Sequence, residues 1–67
     1  MLSKLDINNR DYVTDGRSLY RITESYTDGT YQIENCGTGF THYVDYYFLK
    51  FMTKVQKEVK RKVGIPN

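Results

Sequence analysis

Cys36 and His42 are the single thiol and single imidazole of a 67-residue chain, and together they raise the question of a nucleophile and its base. A reactive thiolate needs a proton acceptor or cation beside it, and the base needs a third group to orient it. No residue pattern here supplies that third group, so the expectation is a core histidine and an incidental thiol. A metal site is not expected either, because one His, one Cys and scattered carboxylates offer no close ligand spacing. Gly37-Thr38-Gly39 joins two strand-like runs and opens no helix, which a phosphate-cradling loop requires. Neither an enzyme nor a cofactor is expected.

The second set with chemical potential is cationic. Lys50, Lys54, Lys57 and Arg61, with Tyr46 among them, give the mix of positive charge and stacking ring that nucleic-acid phosphate sites use. What would position them is a helix over residues 45–63. Phe48, Phe51, Met52, Val55, Val59 and Val63 recur at steps of three and four, the spacing of one helical face. The cations fall opposite, Asp45 suits the N-cap, Gly64 the C′ position, and Pro66 follows where a helix stops. Charge is split accordingly: residues 1–49 are net −3 and residues 50–67 net +5. The plain account of those cations is a solvated face that complements the helix macrodipole. Several features weigh against a nucleic-acid site. The acidic body repels a polyanion, and the patch is lysine-rich where base readout favours arginine. An anionic membrane surface is a weaker partner still, since the apolar stripe ends in valines without the Trp and Leu that anchor well.

Size bounds the rest. Sixty-seven residues make one domain, near the limit at which a single core offsets chain entropy. Aromatics are 15% of the chain, with seven Tyr, three Phe and no Trp, so much apolar burial must come from rings that carry a hydroxyl. One cysteine allows no internal disulfide, which favours a reducing compartment. The opening residues lack the apolar run of a signal peptide, and no stretch is long enough to span a membrane. A soluble, cytoplasmic protein is expected.

Ahead of the helix, residues 1–8 form a short segment that lays two apolar side chains on the body. Residues 9–44 use the vocabulary of hairpins, with turns at Asp15-Gly16, Asp28-Gly29 and residues 36–39. They separate four strands, 9–14, 18–26, 30–35 and 40–44, a meander of three to four strands. A two-residue turn at Asp28-Gly29 pairs Ile22 with Asn35, the same at Asp15-Gly16 pairs Val13 with Ser18, and burial selects a four-residue loop over 36–39. The core face is then Val13, Tyr20, Ile22, Tyr31, Ile33, Phe40, His42 and Val44. The outer face shows Tyr12, Leu19, Arg21, Thr23, Gln32, Glu34, Thr41 and Tyr43, and its tyrosines, leucine and arginine match interface-core composition.

The fold expected is α+β: an antiparallel meander with one long C-terminal amphipathic helix on one sheet face, and residues 64–67 as a tail. The alternative is an SH3-like small β-barrel with a C-terminal helix: the strand and turn rhythm resembles SH3-like small barrels, which bind proteins or nucleic acids through surface aromatics but finish with a short strand where a helix is expected here. In composition the chain looks like accessory proteins of bacteriophages and other mobile elements, many of which inhibit a host protein by binding it. The function expected is a protein-binding module, an adaptor or inhibitor, that docks through Tyr12, Leu19, Arg21 and Tyr43 or through the helix. Nucleic-acid binding by Lys50, Lys54, Lys57 and Arg61 is the alternative. An 18-residue helix would overhang short strands, so Val55, Val59 and Val63 are expected to self-associate in a homodimer.

Overall fold

Three short polar side chains set the turns of the sheet. Asp15 Oδ1 accepts the backbone N–H of Arg17 at 2.8 Å and of Ser18 at 2.9 Å. Asp28 Oδ1 accepts the Thr30 hydroxyl at 2.6 Å and the Thr30 N–H at 3.0 Å. Asn35 Oδ1 accepts the N–H of Gly37 and of Thr38. Each side chain mimics a backbone turn and so fixes where a strand ends.

The computed structural model describes residues 1–55. Its strands are β1 (Tyr12–Thr14), β2 (Leu19–Ser25), β3 (Thr30–Asn35), β4 (Thr41–Asp45) and β5 (Thr53–Val55), with one helical turn, α1 (Tyr46–Leu49), between the last two. All pairings are antiparallel and the sheet order is β4-β3-β2-β1-β5. β1 is shorter than the sequence implies because residues 8–11 turn: the Asp11 N–H donates to Asn8 O, and Arg10 takes a left-handed φ of 74°.

The registers differ from expectation in an instructive way. Ile22 pairs with Ile33 and Val13 with Tyr20, each displaced by two residues from the two-residue turns anticipated. The Asp28 loop is longer than two residues: Gly29 N–H donates to Tyr26 O, Tyr26 N–H donates to Thr30 O, and Gly29 sits at φ 93°. This is the three-residue hairpin whose glycine occupies the left-handed position. The loop by itself displaces the β2–β3 pairing by one residue, so Ser25 and not Tyr26 lies opposite Tyr31. A bulge between Ile22 and Glu24 supplies the second residue of displacement, and a net shift of two keeps Ile22 on its face. The four-residue loop over 36–39 is as expected, with Asn35 N–H donating to Phe40 O at 2.8 Å.

The core is Ile7, Val13, Ile22, Tyr31, Ile33, Leu49 and Met52. Tyr20 and Val44 pack against it from the sheet, but Phe40 and His42, assigned to the core from sequence, are exposed. The amino-terminal segment supplies Leu2 and Ile7, while Leu5 stays in water. It is tied down where Tyr46 Oη donates to Leu2 O at 2.7 Å and the Leu2 N–H donates to Lys50 O at 2.8 Å.

The long C-terminal helix is not present in the described residues. Asp45 does cap a helix, accepting the Phe48 N–H at 3.2 Å, yet the helix ends after one turn and residues 53–55 are strand. Of the expected stripe Met52 is buried and Val55 half-buried, but the two phenylalanines are not. Phe51 is 74% exposed and Phe48 46%, whereas Leu49 is fully buried. Two β-branched residues, Thr53 and Val55, suit a strand, and the open edge of β1 offers backbone partners that a continued helix would leave unpaired. The expected contrast with SH3-like barrels, a helix in place of the last short strand, is therefore absent. The overhang argument for a homodimer loses its premise, since the helix has four residues. Val59 and Val63 lie outside the described residues.

Leu49→Ala should cost about 2–4 kcal/mol in urea unfolding, while Phe51→Ala should change stability by less than about 0.5 kcal/mol. The reverse order would restore the expected helical phase. A second expectation concerns acid. Asp15 and Asp28 hold their carboxyls below the ordinary 3.8, the first through the N–H groups of Ser18 and Arg17, the second through the hydroxyl and N–H of Thr30. A depressed folded value gives stability that is present above the unfolded value and lost as pH falls through the folded one. Unfolding measured from about pH 4 downward should therefore show a smaller acid loss in the Asp15→Ala, Asp28→Ala double variant than in the parent.

Candidate functional site

Because Val13 points into the core, the alternation of β1 sends Tyr12 and Thr14 to the opposite face. Tyr12 has Val55 on one side and Arg21 on the other, Arg21 faces Glu34, and Glu34 faces Thr41. One row of residues thus crosses all five strands on the outer face. Leu19 lies beside it, opposite Thr14, and Tyr43 lies opposite Gln32.

The sheet places all four residues of the expected protein-binding set, Tyr12, Leu19, Arg21 and Tyr43, on this face. Their exposure differs. Tyr43 is 67% exposed, while Tyr12, Leu19 and Arg21 are half-buried by their neighbours. Arg21 Nη1 lies 3.8 Å from Glu34 Oε1, a partly exposed pair worth about 1 kcal/mol at most. Gln32 Nε2 donates to Tyr43 Oη at 3.3 Å. The Tyr43 ring lies 6.2 Å from that of Tyr26, and desolvation together with Tyr43 pushes the Tyr26 phenol above its ordinary value.

The cationic set is not gathered on a helix face. Lys50 Nζ sits 4.8 Å from the Tyr47 ring centroid and 4.9 Å from that of Phe51. Lys54 lies in β5, its Nζ 3.3 Å from Asp11 Oδ2. The two lysines thus engage partners on different elements, and Lys57 and Arg61 lie outside the described residues. Of the self-association set, Val55 is half-buried in β5 opposite Tyr12.

Sequence reasoning assigned Phe40 to the core and Phe48 and Phe51 to the helix stripe, gave Tyr47 no role, and placed only Tyr43 on a binding face. Phe40, Tyr43, Tyr47, Phe48 and Phe51 are all exposed, and they fall within β4, α1 and their flanks. Two of them, Tyr43 and Phe48, line a cleft of about 440 Å³ together with Tyr20, Thr41, His42 and Val44. Tyr20 meets both His42 and Phe48 edge-on, at centroid distances of 6.5 and 6.3 Å. This is a favoured aromatic geometry. The sequence signal that could have found them is density, six rings in the twelve residues 40–51. That is more than one small core can cover.

Cys36 and His42 are held apart in role. The Cys36 N–H donates to Leu19 O and its exposed side chain lines a groove with Arg17 and Thr38, whereas His42 packs on Tyr20. Among the described residues no group of three or more His, Cys, Asp or Glu side chains could hold a metal. No described helix is long and apolar enough to cross a membrane.

Replacing Tyr43 with Phe should bring the Tyr26 phenol part of the way back toward 10.0, since burial, the larger cause, remains. Carbon-detected NMR titration of the tyrosine rings reads this directly. An unchanged Tyr26 would mean that the two rings are not neighbours in solution.

Against models of protein families, curated proteins and solved structures, the chain shows no match, so its function must be argued from this geometry.

Proposed function

We propose that this chain is a non-enzymatic module that binds another protein through the ring surface running from β4 into α1. The outer sheet face of Tyr12, Leu19 and Arg21 adjoins it through Tyr43. One observation carries the reading. Among the described residues, five of the eight exposed large hydrophobic side chains, Phe40, Tyr43, Tyr47, Phe48 and Phe51, fall within β4, α1 and their flanks, against seven in the whole buried core. A domain this small has little stability to spare, and leaving a large apolar side chain in water forgoes about 1.5–3 kcal/mol of burial. Scattered apolar residues are ordinary on a surface, but a contiguous run marks an interaction site. Aromatic residues are also the type enriched where binding energy concentrates.

The test is capture from lysate of the source cell with the parent protein and with a Tyr43→Ser, Phe51→Ser double variant. Both replaced side chains are exposed, so the variant should keep the parent's circular dichroism and unfolding midpoint. The expected result is a protein retained by the parent and reduced at least tenfold by the variant. A retained species equally captured by the variant, or one removed by nuclease, would overturn the reading.

A further inference from the structure

The two edges of the sheet are built differently. β5 has three residues with a lysine at its centre, and a short edge carrying Lys resists pairing with another chain. β4 has five residues without Lys, Arg or Pro, and its register with β3 runs unbroken from Glu34 opposite Thr41 to Thr30 opposite Asp45. No described strand covers its other side.

The direction of its free groups follows from the ladder. Phe40 O accepts the Asn35 N–H, so Phe40, and by alternation His42 and Val44, turn their backbone groups toward β3. Thr41 and Tyr43 therefore present N–H and C=O outward. An added strand would seat alternate side chains beside His42 and Val44, at the mouth of the cleft that Tyr20 and Phe48 complete. Its other side chains would lie beside Tyr43.

Charge selects the occupant. Between Arg21 and Lys50 the chain has no Lys or Arg but carries Glu24, Asp28, Glu34 and Asp45. Among the described residues only Glu34 of these four is ion-paired, with Arg21. Asp28 and Asp45 flank the β4 side of the sheet, and Asp45 ends β4 itself. A second copy pairing through β4 would bring the same acidic half against this one, a like-charge arrangement that disfavours self-pairing.

We propose that β4 accepts, as a sixth strand, an extended segment of a partner protein that alternates apolar and basic residues. This rests on the protein-binding reading above and names the partner's chemistry. Backbone pairing supplies affinity, while the cleft and the acidic flank select side chains.

The probe is a capped nine-residue peptide alternating valine and lysine, added to the whole chain and followed by amide hydrogen exchange. The controls are its valine–glutamate counterpart and a valine–lysine peptide with alternate amides N-methylated. The lysine peptide should slow exchange at Thr41 and Tyr43 at least tenfold. The glutamate peptide should bind at least tenfold more weakly, and the methylated one should leave those amides unchanged. Asp45→Asn, which keeps an oxygen to cap α1, should weaken the lysine peptide several-fold. Equal binding of both charge types, or no slowing by either, would overturn the proposal. So would Thr41 and Tyr43 amides already slowed in the free protein: slowing that grows with concentration gives the edge to a second copy, and slowing independent of concentration gives it to residues 56–67. A captured partner that perturbs the rings without slowing these two amides would refute strand addition and leave protein binding standing.

Discussion

Three residues hold the described fold together at its seam. Until Thr53–Val55 lies against β1, that strand has only one neighbour and Val13 has cover from one side of the sheet alone. Their pairing, Tyr12 with Val55 and Thr14 with Thr53, fixes how far the chain may travel after β4. The single turn of α1 is the length that lets it return. Leu49 and Met52, three residues apart, are carried inward by that turn, and the same geometry leaves Tyr47, Phe48 and Phe51 outside. The exposed rings and the buried pair are thus two consequences of one short connection.

Much of the sheet was legible in the residue order, because the buried set of a strand depends on alternation and not on register. Val13, Ile22, Tyr31 and Ile33 occupy the core although two hairpins were displaced, since displacement by two preserves the face. Phe40 and His42 share that face and are nonetheless exposed, because β4 is an edge and the core does not extend that far. The helix failed for a different reason. The three- and four-residue spacing from Phe48 to Val55 is real, but spacing measures only what a helix would bury. It is silent on the backbone partners offered by β1, a strand more than thirty residues earlier, and tertiary pairing outweighed local periodicity. The same limit applies to the candidate site. Tyr12, Leu19, Arg21 and Tyr43 share a face as read, while the ring surface became visible only once α1 was seen to be one turn long.

Charge is distributed by strand order as well as by sequence. Lys54 of β5 reaches Asp11 and Arg21 of β2 reaches Glu34, while Lys4 and Lys50 lie over rings of α1 and its flank. On the β3 and β4 side Glu34 pairs with Arg21, while Asp28 and Asp45 serve a turn and the cap of α1, where they accept hydrogen bonds. The sheet is consequently polarised across its width, which a net charge of +2 conceals.

The seam at β1 and β5 also orders events in time. The hairpins joining β2 to β3 and β3 to β4 close through loops of a few residues, but pairing Tyr12 with Val55 closes nearly the whole described chain. The entropy of closing so long a loop must be met before the contact returns anything. The meander is therefore the part that assembles first, and the seam is the part that closes onto it. In reverse, opening the seam detaches a three-residue strand and one helical turn and uncovers Leu49 and Met52. An opened seam would free the second edge of the sheet while Ile22 and Ile33 stayed paired, giving the molecule a partly open state in which the meander persists.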